Sequence, residues 1–215
     1  MHRTAVALLL TLLAGCLAKD YPDRHLHVIG AERPGEAADG PNGAILAVKP
    51  FTINSRYEGA EFVYRKSDTT WETDYYETFF VPPREMVTDA ARTWLARAGI
   101  FENVTGLSST APPTHILEGH VTQLWIDSRE STLKACVEVQ FVLVDQGRTP
   151  AKVLFKESYT KLVDLPSDTP EDAVRAWGAG LADVLQRLEK DIRGVVLMAV
   201  LEKLEAELRD GVEKR

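Results

Sequence analysis

The sequence predicts an α+β domain: a mostly antiparallel sheet packed by two main helices, with a C-terminal helical extension. Three observations lead there. "TLKACVEVQFVLV" alternates Leu133, Ala135, Val137, Val139, Phe141 and Leu143 with Lys134, Glu138 and Gln140, the period of a strand. It lies between "HILEGHVTQLWID" and "AKVLFKESYTKLV", and the short polar connections among the three runs suit an antiparallel meander. Val174, Trp177, Leu181, Val184, Leu188 and Ile192 recur at spacings of three and four, one face of a helix.

From the N-terminus, Met1-His2-Arg3-Thr4 and the apolar run Ala5 to Leu13 read as an export signal, residues 1–15. A membrane-spanning helix needs about 20 apolar residues, so this run is too short to be one. Leu13-Ala14-Gly15-Cys16 matches the lipobox of bacterial lipoproteins. That resemblance implies a diacylglyceryl group on the Cys16 thiol and, after cleavage, an amine open to acylation by a chain such as palmitate. Each buried methylene contributes about 0.8 kcal/mol, so two or three chains make a durable anchor where one is marginal. The other reading is an ordinary signal peptide with a chance cysteine. Leu17 and Ala18, with no Asp beside the cysteine, resemble the enterobacterial pattern for outer-membrane sorting on the periplasmic side. Residues 16–23 form a tether, and its seven residues after the cysteine span at most about 25 Å.

Residues 24–192 form the folded domain. "RHLHVIG" alternates weakly, as an edge strand does, and "AERPGEAADGPNG" is a loop by its Gly, Pro and Asp content. "AILAVKPFTI", "EFVYRK" and "TDYYETFF" are β-rich runs divided by turn residues. Val81-Pro82-Pro83 opens a helix carrying Val87, Ala90, Ala91, Trp94 and Ala98, and Gly99 stops it. After the meander, Thr169 caps the second helix, with Pro170 at its first position and acids in its first turn. Past Gly194 the apolar stripe continues as Leu197, Leu201, Leu204 and Leu208 in a shifted phase. Residues 193–215 are therefore expected to be a separate or kinked helix. Glu202, Lys203, Glu205 and Arg209 flank its narrow stripe, the pattern of a helix seeking a partner. It either folds back on its own domain or packs on another subunit, and the expectation leans to a homo-oligomer.

Composition narrows the function. The 45% hydrophobic and 27% charged residues are ordinary for a globular domain. A formal charge of −7 argues against nucleic acid, which needs clustered Lys and Arg, and against electrostatic adhesion to anionic lipid. The lipid anchor is then the expected membrane contact. With Cys16 acylated, the one remaining cysteine, Cys136, has no intramolecular disulfide partner. It falls on the more polar face of its strand and reads as a small packed residue.

No motif carries chemistry. Gly-x-Ser-x-Gly, His-Glu-x-x-His and a phosphate-binding glycine loop are all missing. His115 and His120 are an odd number of residues apart in one strand, so they point to opposite faces. His25 and His27 share a face but have no evident third ligand. No metal, cofactor or catalytic residue is expected. The unusual stretch is "WETDYYETFFVPP", where strand alternation puts Trp71, Thr73, Tyr75, Glu77 and Phe79 on one face. Tyr76 and Phe80 join Glu72 and Asp74 on the other. Such a strand is either core and covered edge or an aromatic docking surface.

The order of these features resembles the ABC-type transport auxiliary lipoproteins. The likeness rests on Val48-Lys49-Pro50-Phe51, Val63-Tyr64-Arg65, the stretch Glu72 to Phe80 and the helix Arg84 to Ala98. "LEGHVTQLWIDS", the long alternating strand and "AWGAGLADVLQRLEKDI" extend it over Arg24 to Ile192. The resemblance implies a non-enzymatic accessory of MCE-type transporters, which move phospholipids or other hydrophobic molecules between membranes. Its expected partner is the MCE-domain substrate-binding protein of the ABC transporter. The candidate docking residues are Tyr64, Arg65, Trp71, Tyr75 and Phe79. Competing readings are a structural envelope lipoprotein whose partner is unrelated to transport, and a periplasmic hydrolase with a noncanonical site.

Overall fold

The computed structural model describes residues 23–38, 40, 43–107, 109–147 and 149–213, without the side chains of 203, 204, 206, 207 and 210–213. Cys16, the signal segment and all of the tether but Asp23 lie outside the described residues. In chain order the elements are β1 (His25–His27), β2 (Ile45–Val48), β3 (Thr52–Ile53), a 3₁₀ turn (Ser55–Tyr57), β4 (Glu61–Arg65) and β5 (Trp71–Phe79). There follow α1 (Pro83–Ala96), β6 (Asn103–Gly106), β7 (His115–Asp127), β8 (Lys134–Asp145), β9 (Lys152–Asp164) and α2 (Pro170–Glu213).

β7 organises the sheet. One of its edges pairs antiparallel with β8 from His115–Asp145 to Asp127–Lys134, and β8 pairs in turn with β9, giving the expected meander. Its other edge is divided among three short strands, each parallel to it: β2 at Leu117, β3 at Val121 and β4 at Ile126. β6 lies outside β2, β5 outside β4, and β1 outside β5. The longest ladders are antiparallel, as expected, while the short N-terminal strands make the sheet mixed. "AILAVKPFTI" is two strands rather than one, interrupted at Lys49-Pro50-Phe51, because Pro50 has no N–H to give to a ladder.

Both helices cover one face of this sheet. α1 buries Met86, Val87, Ala91, Trp94 and Leu95, and Gly99 takes φ 65° just past its end, a conformation that costs a residue with a Cβ. α2 begins with Thr169 Oγ1 accepting from the Asp172 amide at 3.3 Å, and its stripe Trp177, Leu181, Val184, Leu188 and Ile192 is buried on β8 and β9. On the same sheet face, Leu117, Val121, Leu124 and Ile126 of β7 pair with Leu143, Val139, Val137 and Ala135 of β8. A bulge between Val121 and Gln123 switches this face from odd to even residues. Gly119 has no side chain because Phe51 occupies the space; a Cβ there would lie 2.5 Å from the ring.

The opposite face carries a smaller apolar layer. Cys136 sits in it fully buried, beside Trp125 and with Sγ 3.9 Å from Gln123 Oε1. Burial, with Glu138 and Asp127 nearby, pushes its thiol up to about 12, so it is a packed residue and not a nucleophile at neutral pH.

α2 departs from expectation. It is one continuous helix of 44 residues, about 66 Å long, with no break at Gly194. Leu201 comes nine residues after Ile192, about two and a half turns, so the two side chains leave opposite sides of it. The phase shift thus turns the leucines outward: Leu197, Leu201 and Leu208 are exposed and do not fold back on the domain. The side chain of Leu204 lies outside those described.

α1, α2 and the loop after β1 are locked by Glu189. Its carboxylate accepts from Arg33 Nε and Nη2, both at 2.9 Å, from Trp94 Nε1 at 2.9 Å and from Arg193 Nη2 at 3.0 Å. These bonds outweigh its partial burial and hold the carboxyl below its ordinary range.

Candidate docking surface

The aromatic strand does not alternate throughout. The β4–β5 pairing steps from Val63–Thr73 to Glu61–Thr78, which leaves a wide bulge on β5. Asp74 makes the bulge: its Oδ1 accepts from the amides of Tyr76 at 2.9 Å and Glu77 at 3.2 Å, replacing ladder bonds with a local turn. Trp71, Tyr75 and Phe79 therefore have three different fates, although simple alternation puts them on one face.

Phe79 is core, a correction to its place among the docking residues. It is 4% exposed, with its ring 4.7 Å from Phe62 and 5.4 Å from Trp177. Trp71 is half-buried on the opposite sheet face, edge-on to Trp125 at 5.7 Å. The guanidinium of Arg56 lies 4.5 Å from its ring centroid and that of Arg65 5.6 Å away, so Trp71 sits beneath two cations. Arg65 is held at 3.0 Å to Asp68 Oδ1 and also reaches Trp125. Tyr64 is half-buried, and burial, helped by Asp74 and Glu77, pushes its hydroxyl up to about 12. Tyr64, Arg65 and Trp71 are thus largely committed to contacts within the domain.

Tyr75 is 66% exposed. Arg24 stacks 4.5 Å from its ring and donates from Nε to the Tyr75 carbonyl at 3.0 Å. Tyr76 packs edge-on against it at 5.2 Å, and Phe80 is 64% exposed. The parallel ladder beside them adds two apolar residues that sequence reasoning left out. β1 pairs His25–Glu77, Leu26–Thr78 and His27–Phe79, so His27 turns inward to Phe62 while Leu26 and Val28 face out. Tyr75, Tyr76, Phe80, Leu26 and Val28 form an exposed apolar rim on the last strands at this end of the sheet. The signal was available: two apolar residues interleaved with histidines in a strand read as an edge.

β1 is fastened by a carboxylate. Glu77 bonds His25 Nδ1 through Oε1 at 2.7 Å and His27 Nε2 through Oε2 at 2.6 Å. Burial raises the Glu77 carboxyl, but these bonds outweigh it and leave it below the usual carboxylate range. The same bond, with the Glu77 charge and those of Glu171 and Asp23, raises His25. The two histidines do share a face; their common partner is this carboxylate. Among the described residues no three His, Cys, Asp or Glu side chains are placed to share a metal ion, and no helix is long and apolar enough to cross a membrane. His115 and His120 bond separately, to Thr114 and Thr52.

No family model matches the sequence, and no curated protein matches it. Solved structures do match the fold. A DUF330 protein from Xanthomonas campestris superposes with a TM-score of 0.65 at 12% identity, over 84% of this chain and 99% of its own. A hypothetical protein from Chlamydia trachomatis matches with a TM-score of 0.51 at 9% identity, over 74% of this chain and 98% of its own. The chain shares its fold with these bacterial proteins, and identity this low carries the likeness no further than fold.

Proposed function

We propose that this chain is a lipoprotein of the bacterial envelope, anchored through Cys16 on the periplasmic face of the outer membrane. There it serves, without catalysis, as the accessory of an MCE-type ABC system that moves lipids between membranes. The exposed rim of Tyr75, Tyr76, Phe80, Leu26 and Val28 carries the reading, because a protein that acts only by binding works through a surface. β1 follows directly on the tether, so the rim stays close to the anchor and within reach of a partner seated at the membrane. The order of motifs over Arg24 to Ile192 supports the auxiliary-lipoprotein assignment, and the DUF330 likeness is consistent with it.

Two measurements test this. A clickable fatty acid fed to cells labels the natural protein and leaves Cys16→Ser unlabelled; equal labelling of both refutes the anchor. Tyr75→Ala combined with Phe80→Ala leaves unfolding nearly unchanged, since both side chains are exposed. The same change abolishes co-purification with the MCE-domain protein, because an aromatic anchor in an interface contributes about 2 kcal/mol or more. Undiminished co-purification places docking elsewhere.

A further inference from the structure

The C-terminal third of α2 presents an apolar face to solvent. Leu197, Met198, Val200, Leu201 and Leu208 are between 45% and 71% exposed, more than a lone helix surface carries without a partner. Two grooves run up to this face and meet at Gly194. One, of about 560 Å³, lies against β9 between Phe155 and Met198; the other, of about 660 Å³, lies between Trp94 and Leu197. No atom outside the helix lies within 4 Å of the position a Gly194 Cβ would take, so the helix surface is notched there.

Charge is graded along the same face. The domain end of the face carries Lys190 and Arg193, and the part beyond Leu201 carries Glu205. A helix basic at one end and acidic at the other complements its own copy when the copy runs antiparallel. One register brings the central positions together. Placing Leu197 against Leu201 of the partner subunit sets Val200 against the partner's Met198 and Glu205 against the partner's Arg193. Ile192 is buried against the domain, and Leu201 leaves the helix on the opposite side.

We propose that α2 joins two copies of this chain as a short antiparallel pair, with the two-fold axis beside Ala199. The occupant of the exposed face is thus a second copy and not a foreign helix or the lipid surface. The full-length lipoprotein in detergent, its protein mass separated from bound detergent by light scattering, has twice the chain mass. Leu197→Glu with Leu201→Glu halves that mass while the melting temperature of the domain stays within a few degrees, since both side chains are solvent-facing. Glu205→Arg sets like charges against each other at two symmetric places and raises the dissociation constant about tenfold. A natural protein of single mass, a dimer that survives the double glutamate change, or an unchanged dissociation constant for Glu205→Arg overturns the proposal.

Discussion

Glu189→Leu tests what holds the two helices together. The substitution keeps the side chain's bulk and removes the acceptor of four donors. Arg33 is left with a guanidinium 14% exposed and no carboxylate, and the Trp94 indole N–H loses its partner. Breaking a buried ion pair from one side costs about 3–5 kcal/mol, and a stranded buried N–H about 1–3 kcal/mol. Both Arg33 and Glu189 keep 14% of their side-chain surface in water, which favours the low end, so the expected loss is about 3–4 kcal/mol. In a urea titration followed by circular dichroism, with a slope of about 2 kcal/mol per molar, the midpoint falls by roughly 1.5–2 M. Arg33→Leu combined with Glu189→Leu should recover part of that loss, because no charge is then stranded. A midpoint shift below about 0.5 M for the single change, or a double variant worse than the sum, would show that apolar packing joins α1 to α2 and the network is incidental.

Phe79→Ala removes a ring packed on Phe62 and Trp177 and costs about 3–5 kcal/mol, whereas exposed Tyr75→Ala stays within about 0.5 kcal/mol of the natural protein. Equal urea midpoints for the two would refute the different burial of these aromatics. The histidine clamp makes the hold on β1 depend on pH. His25 has its pKa raised above 6.5, so its contribution is complete below about 6.5 and fades as pH rises through the raised value. Glu77 has its pKa lowered below 4.5, so its contribution holds above about 4.5 and is lost only as pH falls through the lowered value. The clamp is strongest between those limits. The Phe80 amide, bonded to the His27 carbonyl at 2.8 Å, should exchange more slowly at pH 5.5 than at pH 8 after correction for intrinsic rates. Glu77→Gln removes the difference, and a natural protein without one contradicts the clamp.

What was legible in the sequence was what repeats locally. Leu181, Leu188 and Ile192 announce the buried side of α2, Thr169 its start, and the alternation through Val137, Val139 and Phe141 its sheet. Tyr75 and Phe79 do not share the face that alternation predicts, because the Asp74 side chain bonds backbone amides and interrupts a period that residue types alone suggest is unbroken. Glu189 drew no notice, since its meaning depends on Trp94 and Arg33, 95 and 156 residues away. Gly194 suggested a break, yet one glycine inside a long helix costs only about 1 kcal/mol, less than its packed neighbours supply.

The shared edge of β7 sets an order of assembly. β2, β3 and β4 all precede the strand that unites them, so a growing chain has at most the β4–β5 and β2–β6 pairs, with nothing to join them, until Asp127 has been made. Such distant pairings incur loop-closure entropy before any contact offsets it, and unpaired strands are exposed to wrong partners meanwhile. β7, β8, β9 and α2 follow one another directly and pack on one another, so they can nucleate without the rest. Folding then proceeds backwards along the chain, from the half made last to the half made first. That order suits the export proposed above, because the leading half cannot complete its sheet until β7 has followed it through.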